Sequence, residues 1–246
     1  MFSREYEIVR LLAHDAKRLW PDMVGELVLR AERGYGRGVA DLVVLDIDHA
    51  NLLERRNCGL PPARRAGEAV VLEAVIAKAG EPLETILSAI PMTRSHARRL
   101  MSQLADVGLV QVEDGAAFPA WPGAPIAARV VAIEAKLANW RGGAIQADRY
   151  LAFADEAYLA MPTERIETLL RHPDRLDGLD LGLIAVSDGE CSIAVPAPVV
   201  RPRIPAVRRW LDEAEYGELI GSSRQLIRPF PARFEQPTPA ALLAVS

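Results

Sequence analysis

The sequence predicts an α/β protein: a mixed sheet flanked by helices, interrupted by an inserted module of three helices and a hairpin. Three observations predict it. Residues 39–45 and 129–137 are short, mainly apolar runs of strand length. The stretch between them changes texture to helices followed by a hairpin, and strand-like texture resumes beyond the proline-rich residues 119–125.

Taken in order, residues 5–20 carry Ile8, Leu11, Leu12 and Leu19 among charges, with Ser3 where an N-cap should stand, and read as a helix. Residues 26–32 and 39–45 read as two strands joined by a glycine-rich turn containing Gly34, Gly36 and Gly38. The second strand is apolar on both faces, as a central strand must be, so Asp41 within it is an expensive residue that demands a reason. Residues 49–66, rich in Arg, Pro and Asn, read as a linker.

Residues 69–79, 82–90 and 93–107 then read as helices, and 109–118 as a strand pair turning at Asp114 and Gly115. A short turn at Ile90, Pro91 and Met92 precedes the arginine-bearing third helix, which together suggest a winged helix-turn-helix. Thr93, Arg94, Ser95, His96, Arg98 and Arg99 open the expected recognition helix, where donors can meet a DNA groove or phosphate chain. Further on, residues 129–137 read as a strand, 143–161 as a long amphipathic helix, and 181–186 as a strand turning at Asp188 and Gly189 into 191–195. No clear period is read beyond Pro196, and the end from Gln236 reads as frayed. The organisation predicted is a first part over 1–64, an insert over 65–118 and a second part over 119–246.

Composition narrows the function classes. Half the residues are hydrophobic, yet charges interrupt every run before the roughly 18–20 apolar residues a membrane span needs. The first residues lack the basic stretch and apolar block of a secretory signal, so a cytoplasmic protein is expected. The two cysteines, Cys58 and Cys191, lie far apart without paired spacing, which argues against a disulfide framework or a zinc site. Net charge is -4, unusual for a nucleic-acid binder. Local basic patches are nonetheless expected at Arg94, Arg98 and Arg99, and at Arg201, Arg203, Arg208 and Arg209. His14, His49 and His172 show no ligand spacing, and the scattered Trp20, Trp121, Trp140 and Trp210 read as packing residues.

The chemistry concentrates around Glu134. Side chains alternate along a strand, so Glu134 and Lys136 share one face while Ile133, Ala135 and Leu137 take the other. Burying either charge alone is costly, but both become tolerable in a cleft that holds a divalent cation. With Asp41 from a neighbouring strand, the set comprises two carboxylates and a lysine, which suits phosphodiester hydrolysis with magnesium.

Asp41 followed by Glu134-Ala135-Lys136, in the order helix, strand, strand, strand, helix, resembles the PD-(D/E)xK nuclease superfamily, which includes restriction endonucleases and archaeal Holliday-junction resolvases. Gln146 and Tyr150 match the Q-x-x-x-Y element of several of its branches, and lie one helical turn apart. The resemblance covers roughly residues 3–48 and 127–197. Ala40 stands where the family name has proline, and the insert between Asp41 and Glu134 replaces the usual hairpin.

The resemblance implies a restriction endonuclease-like fold and a Mg2+- or Mn2+-dependent nuclease acting on DNA. Asp41, Glu134 and the carbonyl of Ala135 would bind the metal, Lys136 would assist the water, and Gln146 and Tyr150 would border the cleft. It further implies a glutamate on the first helix at the metal, with Glu5 the matching position and Glu7 and Glu26 its competitors. Such relatives are often homodimers. The alternative expectation is a non-catalytic DNA-binding protein or transcriptional regulator on a nuclease-like scaffold.

Overall fold

In the computed structural model, which describes residues 2–35, 38–172 and 178–221, helix α1 (Glu5–Leu19) lies on one face of a six-stranded mixed sheet. It begins one residue later than Ser3 predicts. The Glu7 carboxylate reaches back to accept the amides of Ser3 (2.7 Å) and Arg4 (3.3 Å), which leaves Arg4 as the capping residue. Strands β1 (Glu26–Gly34) and β2 (Val39–Ile47) pair antiparallel, and β2 pairs antiparallel with β5 (Ala127–Ala135). Parallel neighbours β6 (Glu156–Pro162) and β7 (Gly182–Ser187) follow, and β8 (Glu190–Val195) returns antiparallel at the far edge.

Alternation along the central strands sorts the core into two layers. Leu42, Val44, Val131, Ile133 and Ala135 meet Ile8, Leu12, Ala16 and Leu19 of α1. Val43, Leu45, Ile47, Val130 and Ala132 point the other way. They pack with residues of α6 (Trp140–Tyr150), α7 (Thr163–Leu170) and α8 (Pro205–Leu219). The sheet is thus covered on both faces, as a sheet with a parallel centre requires.

Three expectations need correction. Residues 49–66 are not simply a linker: α2 (His49–Asn57) forms there, because the Asp48 carboxylate accepts the amides of Ala50 (2.9 Å) and Asn51 (3.1 Å) and nucleates its first turn. The long helix over 143–161 is a helix and a strand. α6 ends where the amides of Phe153 and Ala154 both turn back to the Tyr150 carbonyl. Beyond it lies β6, buried on both faces and therefore without the alternation that would have distinguished it from helix. The stretch beyond Pro196 carries α8, opened by Pro205 in its first turn.

Between β2 and β5, α3 (Ala66–Ala77), α4 (Leu83–Ala89), α5 (Arg94–Asp106) and the hairpin β3 (Val110–Glu113) and β4 (Ala116–Pro119) form a segment with its own apolar core. That core holds Val71, Leu72, Val75, Ile86, Leu87, Leu100, Leu104 and Val110, with Trp121 at its base. The hairpin turns through Asp114 (φ 49°) and Gly115 (φ 78°), the two left-handed residues a tight two-residue turn needs. Helix α8 joins this segment to the sheet. The Arg55 guanidinium lies 4.4 Å from the Trp121 ring centroid and 4.0 Å from that of Tyr216, and pairs with both Glu213 oxygens at 2.7 and 2.6 Å. Arg209 bonds Glu73 of α3 at 3.1 Å, while Arg30 of β1 bonds Glu215 at 2.9 Å.

Candidate functional site

The β2–β5 ladder runs to the pair Leu42–Ile133 and stops. The next pair in that register is Asp41 with Glu134, on the face that carries Val43 and Ala132. Here the amide of Ala135 donates to Asp41 Oδ2 at 2.8 Å, so a side chain takes over the backbone's role where the strands part. The opposite neighbour of Asp41 is distorted too. The β1–β2 register passes from Ala31–Leu42 to Arg33–Ala40 across Glu32, whose φ of 49° is left-handed and uncommon for a non-glycine residue in a strand. Local strain of this kind collects at functional sites.

Glu134 is buried, 1 % exposed, and both of its oxygens are engaged. Lys136 Nζ lies 2.6 Å from Oε1, and the Tyr150 hydroxyl is 2.5 Å from Oε2 and 2.8 Å from the carbonyl of Val39. Lys136 also faces Glu5 Oε2 at 3.6 Å, so α1 closes the cluster from the side. Of the competing glutamates, Glu7 caps α1 and Glu26 pairs with His49, 3.2 Å away, leaving Glu5 as the one that meets Lys136. Gln146, one turn before Tyr150, is exposed on α6.

A glycine sets the approach of α6. A β-carbon at Gly143 would lie 2.6 Å from Leu159 Cδ1 and 2.7 Å from Lys136 Cγ, so only glycine lets the helix seat against the lysine stem. The sequence reading missed this residue; the adjacent Gly142 and Gly143 after an Asn139 cap were the available signal.

Electrostatics follow from this crowding. Burial and then the neighbouring Glu134 charge push the Asp41 carboxyl up to about 6, against an ordinary 3.8. Burial is also the largest influence on Lys136 and opposes its charge, but the bond to Glu134 and the surrounding carboxylates outweigh it and raise its pKa. Burial and then the bond to Glu134 raise Tyr150 as well, which keeps the phenol protonated.

Glu5, Asp41 and Glu134 set three carboxyl groups against one ammonium. Oxygen donors in this number are the type a hard divalent cation takes, and a cation among them would offset the burial and the Glu134 charge that raise Asp41. Among the described residues no group of three or more His, Cys, Asp or Glu side chains that could hold a metal ion is found. A cation here would complete its shell with the Ala135 carbonyl and water.

The expected basic patches fare differently. Thr93, Arg94, Ser95, His96, Arg98 and Arg99 are all exposed on or beside α5, but Glu84 of α4 pairs with both Arg94 and Arg98. Of the patch expected at Arg201, Arg203, Arg208 and Arg209, three arginines are matched to carboxylates. Arg203 pairs with Asp148 and Asp180, Arg208 with Asp155, and Arg209 with Glu73, because each has a carboxylate brought to it by the fold.

The chain is thus an α/β protein with a mixed six-stranded sheet and a carboxylate–lysine cluster where its central antiparallel strands part. No protein-family model, curated protein or solved structure matches it. No helix of the described residues is long and apolar enough to cross a membrane.

Proposed function

We propose that this protein is a Mg2+- or Mn2+-dependent deoxyribonuclease of the PD-(D/E)xK type. On this reading its fold is restriction endonuclease-like, and the helix–hairpin segment is a winged helix that positions DNA. The observation that carries the reading is the meeting of Asp41, Glu134 and Lys136 at one strand divergence, from positions far apart in the chain. A scaffold has no physical need to bury these charges together.

Asp41, Glu134 and the Ala135 carbonyl would hold the cation, with Glu5 at the outer edge. A divalent cation bound there would polarise a phosphoryl oxygen and make its bound water acidic. Lys136 presents an ammonium with three donors where an attacked phosphate gains negative charge. Tyr150 locks one oxygen of Glu134, so that carboxylate keeps its orientation when Lys136 turns toward substrate. Exposed Arg99, with Arg94 and Arg98 once they leave Glu84, would supply phosphate contacts on α5, and Gln146 is exposed on α6. A cytoplasmic location and a homodimer belong to the same reading.

The test is a cleavage panel of single-stranded, duplex, flapped and branched DNA with each divalent metal. Lys136→Ala and Asp41→Ala should each lose roughly 100-fold or more of cleavage while binding persists. Unchanged cleavage in both variants removes the site, and DNA binding without cleavage under every metal favours the non-catalytic alternative.

A further inference from the structure

At the same end of β5 as Lys136, a cleft of about 220 Å3 is lined by Ala138, Trp140, Met161, Arg165, Thr168 and Leu169. It lies where the parallel strands β5 and β6 hand over to α6 and α7. Its floor is apolar, since Met161 and Leu169 are almost fully buried, while Arg165 and Thr168 on α7 are exposed. Trp140 is half-buried, and the Arg141 guanidinium lies 5.3 Å from its ring centroid. A volume below the roughly 300–1,000 Å3 of whole-ligand pockets suits one ring of a larger molecule rather than a complete ligand.

The charge pattern says what kind of molecule. Among the described residues Arg141 and Arg165 form no ion pair, as is also true of the exposed Arg99, Arg149 and Arg201, but of these it is Arg165 that lines the cleft and Arg141 that neighbours its tryptophan. An aromatic wall and apolar floor, with the Arg165 guanidinium on the lining and Arg141 beside the tryptophan, are complementary to a planar base and its phosphates. The ring stacks, and the phosphates take the planar donors of arginine.

We propose that this cleft takes one unpaired base of a DNA strand, with Trp140 as the stacking surface and Arg165 and Arg141 on the adjoining phosphates. The assignment rests on the nuclease reading for the role of the strand as substrate, but base capture itself needs neither Asp41 nor a cation. Its consequence is substrate preference. A blunt duplex keeps its bases stacked and must give one up, whereas a single strand, flap or junction offers one free.

The experiment uses the full chain in EDTA, titrated with a ten-nucleotide oligothymidylate, a blunt duplex of equal length, and thymidine monophosphate. Intrinsic tryptophan fluorescence and polarisation of labelled DNA are read together. The strand should quench fluorescence saturably, Trp140→Phe should remove most of the quench, and Arg165→Ala should weaken strand binding about 5- to 10-fold with an unchanged circular dichroism spectrum. The duplex should quench less than the strand. A quench that survives Trp140→Phe, strand affinity unaffected by Arg165→Ala, or an equal quench by the duplex overturns the proposal. Mononucleotide binding as tight as the strand also overturns it, because the cleft would then be a small-molecule site. A protein that shows the full pattern yet cleaves no DNA keeps the cleft assignment and sinks only the nuclease reading.

Discussion

The Asp41 carboxylate accepts the backbone amide of Ala135, 2.8 Å away, at the point where β2 and β5 stop pairing. That bond holds a half-buried acid beside Glu134, which its charge would otherwise repel. The arrangement stores electrostatic repulsion that a cation, or a proton, relieves.

Stability of the metal-free protein should therefore depend on pH through Asp41. Its folded pKa of about 6 lies above the ordinary 3.8, so its contribution is most favourable below 3.8 and is lost as pH rises to 6. The full shift corresponds to about 2–3 kcal/mol before screening in this partly open site. Asp41→Asn keeps an acceptor for the Ala135 amide and should stabilise the metal-free protein at neutral pH while flattening the slope over that window. Urea denaturation at stepped pH reads this; equal slopes in both proteins would refute it.

Gly143 should matter to Lys136 rather than only to α6. A methyl group there would meet Leu159 and Lys136 well inside contact distance, so Gly143→Ala should cost about 1–3 kcal/mol of stability. On the nuclease reading it should also displace the ammonium. Cleavage should fall well beyond the unfolded fraction under assay conditions, and cleavage at the wild-type rate would show that the helix can shift freely off the lysine.

Glu84 neutralises two of the three arginines on α5. An exposed pair of this kind contributes only about 0–1 kcal/mol to stability, so Glu84→Gln should leave the melting temperature nearly unchanged. If the segment grips DNA, the freed guanidinium groups should tighten binding about 3- to 10-fold at low salt and steepen the salt dependence. Identical binding isotherms over a salt series would remove α5 as the DNA face.

Arg55 and Glu213 are both buried, at 1 % and 0 % side-chain exposure. Glu213→Ala strands a guanidinium between Trp121 and Tyr216 and should cost about 3–5 kcal/mol. Joint replacement, Arg55→Met with Glu213→Leu, should cost clearly less than the sum of the single changes. Additive losses in chemical denaturation would mean that the two residues act separately rather than as one link between α8 and the inserted segment.

By itself the sequence determined the elements whose pattern is local. Strands β1, β2 and β5, the three helices and hairpin between them, and the Asp114–Gly115 turn follow from periodicity and turn chemistry within a few residues. It also marked Asp41, Glu134 and Lys136, because a charge on an otherwise apolar strand is conspicuous without any structure. Local signals ran out where burial is total or partners are distant. β6 is apolar on both faces and mimics a helix, and the charged residues of α8 show no simple stripe because they pair inward with Arg30, Arg55 and Glu73. Only the tertiary structure decided that Asp41 and Glu134 come together where β2 and β5 stop pairing, that Glu5 rather than Glu7 or Glu26 reaches Lys136, and that Glu84 occupies two of the α5 arginines. Each depends on strand register or helix packing, which are set by summed contacts across the whole core and not by the residues adjacent in the chain.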